Sequence, residues 1–241
     1  MTNATRLSSL QDLDVPFTHP HGWTMHDAEP GPVQRPSWTY GESDPALMLF
    51  TAAIERFRLT FPPHSQILEL GCAESDWLER MRRWDATFEL VGVDARAHTL
   101  TEAERIEIIE GDAMQQDLFA PEFFDRIVML GALEHFGLGF YGDPVSPDGD
   151  TRTMQNVAHW LRPGGLVYFD VPCQPTFSIQ ENRHFRNYAP TSIRERLIVP
   201  GLQEVNRAYS LPEPHAGTWC HEPTEPRVPY WFVAVLAQRV A

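Results

Sequence analysis

The run Ile67-Leu68-Glu69-Leu70-Gly71, the amphipathic segment Ser75 to Trp84 and the run Leu90-Val91-Gly92-Val93-Asp94 together decide the fold. A short apolar stretch stopped by glycine predicts a buried strand and a tight turn. The amphipathic segment predicts a helix, and the second apolar run predicts a neighbouring strand that ends in a carboxylate. This order is the opening half of a doubly wound sheet, in which the terminal acid accepts hydrogen bonds from both ribose hydroxyls. Asp94 therefore predicts a ligand that carries a ribose.

Charge narrows the choice of ligand. A dinucleotide needs bare N–H groups at the helix start and glycines that let a pyrophosphate approach. Here the turn reads Gly71-Cys72-Ala73-Glu74-Ser75-Asp76, with Ala73 and Asp76 where the second and third glycines would stand. Glu74 and Asp76 suit a helix N-terminus, because they oppose its dipole. They would repel a diphosphate. S-adenosyl-L-methionine carries a sulfonium and an ammonium and no phosphate, so an acidic pocket favours it over NAD or FAD.

Ile106 to Ala113 alternates as a third strand should, with Asp112 just past its end, where the adenine edge would lie. A short helix is predicted between, over Thr99 to Arg105. Phe124 to Gly131 reads as a fourth strand. Trp160-Leu161-Arg162-Pro163-Gly164-Gly165 reads as a helix stop ahead of a fifth, Leu166 to Val171. Strands alternating with helices predict a mainly parallel sheet.

Glu69-Leu70-Gly71-Cys72, Val91-Gly92-Val93-Asp94, Gly111-Asp112-Ala113 and Leu161-Arg162-Pro163-Gly164-Gly165 occur in the order and spacing of one family. Over residues 45 to 240 the chain resembles the class I S-adenosylmethionine-dependent methyltransferases. The resemblance implies an α/β Rossmann-like, doubly wound, seven-stranded sheet with a C-terminal antiparallel hairpin near Leu202–Tyr209 and Val228–Gln238. It implies Gly71 under the methionine moiety, Asp94 on the ribose, and Asp112 with Ala113 beside the adenine. Glu69, Cys72, Ala73, Ala95, Leu130 and Gly131 complete the expected cofactor set. Ala73 departs from the family, many of whose members carry a second glycine there. A narrower likeness, in Glu134-His135-Phe136-Gly137-Leu138-Gly139-Phe140-Tyr141-Gly142-Asp143-Pro144 and in Asn182 to Tyr188, is to a methyltransferase-like family of unknown function. That family is related to enzymes of surface-glycan and small-molecule pathways.

The chain has 241 residues, 42% of them hydrophobic, which suits one α/β domain over 43–241 with an extension over 1–42. A net charge of −14 argues against a nucleic-acid partner. Neither a membrane-spanning run nor the apolar core of a signal peptide is present, and a cytoplasmic location is expected. Three scattered cysteines predict no disulfide framework. All 19 basic residues are arginine, which removes Schiff-base chemistry and a lysine general base. A GC-rich coding sequence explains this bias.

Residues 1–42 are rich in proline, histidine and aromatics and read as a loose leader or a lid over the cleft. A helix is expected from Ser43-Asp44-Pro45 to about Arg58, burying Leu47, Phe50, Ile54 and Phe57. The long connection 211–227 suits either the substrate mouth or a homodimer contact.

Methyl transfer is an in-line displacement, so alignment supplies much of the rate. A hydroxyl acceptor must also lose a proton, and His135, just past the fourth strand on the ligand-binding edge, is the expected general base. Packing around the cofactor is its alternative role. Glu134 is expected to aim the histidine or hold the acceptor, unless it only caps the turn. Tyr141 and Asp143, with Asp148 and Asp150, form the expected acceptor wall. Their spacing admits a divalent metal, yet Asx turns explain it as well, and no metal is expected. Asp150 is also placed to cap the next helix. Arg183, His184, Arg186 and Tyr188 are expected to grip a small-molecule or saccharide acceptor, or to be surface pairs. His19, His21, His215, Cys220 and His221 lack the paired spacing of a zinc site. The expected reaction is O-methylation of a sugar or specialised metabolite. The alternatives are N-methylation and cofactor binding without catalysis.

Overall fold

The computed structural model describes residues 57–75, 77–96, 105–180, 183–210, 219–220 and 232–240. The predicted extension over 1–42, most of the helix before Arg58, the segment Thr99 to Glu104 and most of the connection 211–227 lie outside them. Phe57, the last expected core position of that helix, is helical and buried.

Strands β1 (Gln66–Leu70), β2 (Glu89–Asp94), β3 (Ile106–Glu110), β4 (Phe124–Met129) and β5 (Leu161–Pro172) pair in parallel in the order β3-β2-β1-β4-β5. A separate two-stranded ribbon pairs β6 (Ser178–Ile179) with β7 (Arg186–Asn187), and beyond β5 the main sheet turns antiparallel through β10 (Phe232–Arg239) and β8 (Leu202–Ser210). This is the predicted seven-stranded arrangement. A two-residue strand, β9 (Trp219–Cys220), adds an eighth at the edge of β8. The long connection over 211–227 thus holds a piece of sheet, because β8 leaves an edge whose backbone groups need partners.

Three helices flank the strands among the described residues: α1 (Trp77–Trp84), α2 (Gly149–Trp160) and α3 (Pro190–Arg196). Alternation along each strand sends Ile67, Leu90, Val128 and Tyr168 to the face covered by Trp77, Leu78 and Met81 of α1. Leu68, Val91, Ile127 and Phe169 go to the face covered by Met154, Val157 and Trp160 of α2. Gly92 lets α1 settle closely. A Cβ there would lie 2.7 Å from the Cys72 sulfur and 2.8 Å from a Leu78 methyl carbon.

Two boundaries differ from expectation. α1 begins at Trp77, after a 3-10 turn over Cys72–Glu74, and not at Ser75. β5 begins at Leu161, five residues before the predicted start at Leu166. The Pro163-Gly164-Gly165 stretch is a bulge inside the strand, since pairing runs from Phe124↔Leu161 to Arg126↔Leu166. Gly164, at φ +80°, absorbs the extra residues.

Candidate active site

The sheet order reverses at β1, between β2 and β4, and ligands in open α/β sheets bind outside the carboxyl ends of strands at such a point. Gly71 closes β1 in the left-handed region at φ +81°, and its N–H donates to the Val93 carbonyl at 2.8 Å. A Cβ on Gly71 would stand 2.4 Å from that of Ala132, so only glycine fits. Asp94, 7% exposed, ends β2 as predicted. Its Oδ2 accepts the Ala73 N–H at 3.0 Å, and its Oδ1 accepts the backbone N–H and the Nε–H of Arg96 at 2.9 and 3.2 Å.

The remaining expected cofactor residues line the same edge. Asp112 folds back on its own turn, accepting the Met114 N–H at 2.8 Å, and the Ala113 carbonyl accepts from Asn156 at 2.8 Å. Gly131 donates to Asp170 at 2.8 Å, beside the half-buried Leu130. Glu69 is buried within β1, and Ala95 is half-buried after Asp94. Cys72 is buried and packs against Gly92. The side chain of Glu74, and Asp76, which carried the electrostatic argument, lie outside the described residues.

Across the cleft, a 3-10 turn over Leu133–His135 carries Glu134 and His135 off the end of β4. His135 Nδ1 lies 2.6 Å from the His184 carbonyl oxygen. A carbonyl only accepts, so Nδ1 carries the proton and Nε2 presents a bare lone pair. Burial, opposed by that hydrogen bond and aided by the charges of Arg96 and Arg186, lowers the His135 pKa to about 3. Glu134 is 1% exposed, and burial followed by the Asp170 charge pushes its carboxyl well above the usual range. Its Oε1 lies 3.9 Å from His135 Nε2, and its Oε2 has no hydrogen-bond partner among the described residues. His135 is therefore neutral at pH 7.

Tyr141 OH meets His184 Nε2 at 3.1 Å, and Phe140 packs on the His184 ring with centroids 4.2 Å apart. His135, Tyr141 and His184 thus form one wall. The loop from Phe136 to Gly149 is closed at its base by Gly137 and Gly149, each standing where the other's Cβ would fall, within 2.7 Å. Asp143 accepts the Gly137 N–H at 2.6 Å, a contact across the loop and not the Asx turn weighed as the alternative to a metal ligand. No group of three or more potential metal-binding side chains occurs among the described residues. Of the residues weighed for zinc, His19, His21, His215, His221 and the Cys220 side chain lie outside them.

The four residues expected to grip the acceptor separate. His184 is in the wall. Arg183 is exposed at a turn with φ 57°. Arg186 is fully buried; its NH1 donates to the Phe136 carbonyl at 2.6 Å and its NH2 to the Ser146 carbonyl at 3.3 Å, while Nε lies 3.8 Å from Asp150. Tyr188, also fully buried, donates to Asp150 at 2.9 Å, and Arg196 binds the same carboxylate at 2.6 Å. These side chains build the scaffold that holds the loop, away from the cleft. The N-cap position of α2 belongs to Asp148, while Asp150 is the buried anion of this network.

Asp170 has a readable signal, since it lies near the carboxyl end of β5 as Asp94 does of β2, and in sequence it reads as a strand-end acid without a part in the chemistry. Arg96 escaped the sequence reading: only the fold shows its guanidinium carbon 4.3 Å over the Tyr141 ring. Its charge is matched by Asp94. The donor set therefore still fits an adenosyl sulfonium: a carboxylate acceptor for the ribose, buried acids nearby, and a left-handed glycine beneath.

A sheet of this order with an acid closing β2 and a polar cleft at the β1/β4 reversal defines the class I methyltransferase fold. Residues 44–211 match the family described as Methyltransferase domain, and the chain belongs to that family. A curated relative, the ubiquinone biosynthesis O-methyltransferase of Aliivibrio fischeri, is 28% identical over 112 residues, 43% of this chain and 42% of that protein. The match thus spans less than half of the relative's length. The Burkholderia thailandensis 1,6-didemethyltoxoflavin-N1-methyltransferase, crystallised with S-adenosylhomocysteine, superposes with a TM-score of 0.56 at 15% identity, covering 83% of this chain and 78% of the other. The cyclase SpnF shares the fold at a TM-score of 0.59 and 12% identity, covering 94% and 87%. The fold therefore accommodates other chemistry, and the family assignment rests on sequence. No helix among the described residues is long and apolar enough to cross a membrane.

Proposed function

We propose that the chain transfers a methyl group to a hydroxyl oxygen of a small polar acceptor, with a sugar or specialised metabolite as the class to assay first. The carrying observation is His135: its Nδ1–H is fixed on the His184 carbonyl, which leaves Nε2 as a hydrogen-bond acceptor on the same sheet edge as Asp94. Bound S-adenosylmethionine supplies a methyl carbon activated by its sulfonium.

Asp94 holds the ribose, and Gly71 gives the backbone its close approach. Tyr141 and His184 wall the acceptor and exclude water. A buried imidazole with a pKa near 3 is a poor proton sink in the ground state. It is a competent acceptor of the hydroxyl hydrogen bond, which orients an oxygen lone pair and takes on the proton as the new bond forms. The O-methyltransferase relative supports oxygen as the target. Nitrogen is the second reading, favoured by the buried acids Glu134 and Asp170, which suit an amine, and by the N-methyltransferase neighbour.

The test is transfer of isotopically labelled methyl to matched hydroxyl and amine compounds. His135→Gln is expected to lower kcat while S-adenosylhomocysteine affinity stays as in the parent. An equal loss of both would reassign His135 to cofactor support. Asp94→Ala is expected to weaken S-adenosylhomocysteine binding by about 2–3 kcal/mol, the value of a charged hydrogen-bond pair. Unchanged affinity would remove Asp94 from the site.

A further inference from the structure

Arg96 joins the two halves of the cleft, and the hydrogen-bond capacity of Asp94 shows how. Each carboxylate oxygen offers about two lone-pair sites. Oδ1 is filled by the Arg96 backbone N–H at 2.9 Å and its Nε–H at 3.2 Å, while among the described residues Oδ2 holds the Ala73 N–H alone, at 3.0 Å. A ribose gripped through both hydroxyls needs one site on each oxygen. Oδ1 must therefore release a donor. The backbone N–H is fixed by the chain, so the guanidinium is the donor that leaves.

Its destination follows from its surroundings. The guanidinium carbon already stacks 4.3 Å over Tyr141, whose hydroxyl meets His184, whose carbonyl in turn anchors His135. A guanidinium freed from Asp94 and kept on Tyr141 faces the acceptor side, and its planar fork matches a carboxylate. Arg186, the other arginine whose charge reaches His135, is fully buried and donates to backbone carbonyls, so it is not placed for this task.

We propose that Arg96 is a specificity residue passed from one substrate to the other. It caps the ribose carboxylate before the cofactor arrives, then holds a carboxylate of the acceptor once the cofactor has displaced it. The acceptor is accordingly a small carboxylate-bearing molecule, and binding is ordered with the cofactor first. This inference rests on the reading of Asp94 as the ribose residue.

Calorimetry with S-adenosylhomocysteine on the full chain separates the two. Arg96→Met is expected to bind it at least about 5-fold tighter than the parent, the lower end of ordinary coupling. Arg96→Lys, which keeps the charge without the fork, is expected to fall between, and it decides the sign if the methionine variant does not fold. Benzoate, as a carboxylate probe, is expected to bind the parent only when S-adenosylhomocysteine is saturating, and not to bind loaded Arg96→Met. Unchanged or weaker S-adenosylhomocysteine binding in the Arg96 variants, with Asp94→Ala still impaired, would overturn the displacement and leave the ribose assignment standing. If Asp94→Ala binds as the parent does, the ribose assignment itself fails. Benzoate that ignores the loaded parent, or binds loaded Arg96→Met equally, would overturn the acceptor half.

Discussion

The proposed cofactor side of the cleft and its proposed acceptor side are assembled by different means. On the cofactor side the groups that meet are close in sequence: Asp94 lies 21 residues from Ala73 and two from Arg96. Backbone N–H groups and the left-handed Gly71 do most of the shaping there. On the acceptor side the partners are distant, with His135 and His184 49 residues apart and Arg186 and Phe136 50 apart. The acceptor wall exists only after the chain returns from β5 and a buried arginine locks the loop in place. Local construction tolerates variation in side chains, whereas long-range construction concentrates its dependence on a few of them.

The sharpest way to break this contrast is Arg186→Met. It leaves the Phe136 and Ser146 carbonyls without their buried donor and removes the charge 3.8 Å from the buried Asp150, and a loss of about 3–5 kcal/mol in urea denaturation is expected. A loss below about 1 kcal/mol would mean that the loop closes without it. Next in size is Gly71→Ala. The positive φ and the 2.4 Å approach to Ala132 set its cost at about 2–4 kcal/mol by the same measurement. Its S-adenosylhomocysteine affinity is expected to drop too, and an unperturbed affinity would show that the turn relaxes without moving the cofactor half.

A third test is pH. The folded pKa of His135 is lowered from 6.5 to about 3, so the unfolded chain takes up a proton there first as the pH falls. Its contribution is complete above about pH 7 and is lost between about pH 6.5 and pH 3. About 2 kcal/mol is expected to go between pH 7 and pH 5. His135→Gln should lack that part of the slope; parallel profiles for parent and variant would place the imidazole in a wetter setting. The smallest effect is reserved for Arg183→Ala, expected to stay within about 0.5 kcal/mol because the side chain is exposed and its turn is held by backbone.

The same contrast explains what was legible beforehand. Gly71, Asp94 and the first four strands could be read because periodicity, a glycine stop and a terminal acid are local signals. The start of β5 misled for a local reason as well: Pro163-Gly164-Gly165 has the chemistry of a helix stop, and only pairing with β4 turns it into a bulge. Arg186 and Tyr188 looked like acceptor ligands, since sequence shows charge and hydroxyl but not the buried Asp150 that both approach. His135 was placed on the correct edge by strand order. Its tautomer required the His184 carbonyl, which no spacing encodes.

The Gly137–Gly149 clasp also bears on how this scaffold can be re-tooled. Because the base of that loop is pinned, its crest has room around it: Gly142 itself holds a left-handed φ of +88° that favours glycine, yet nothing lies within 4 Å of where its Cβ would stand, and Val145 is 62% exposed. Length and chemistry can be varied at the crest while the ring wall beneath stays in register. That makes it the natural insertion point for a fluorescent reporter of acceptor entry, or for a library aimed at new acceptors.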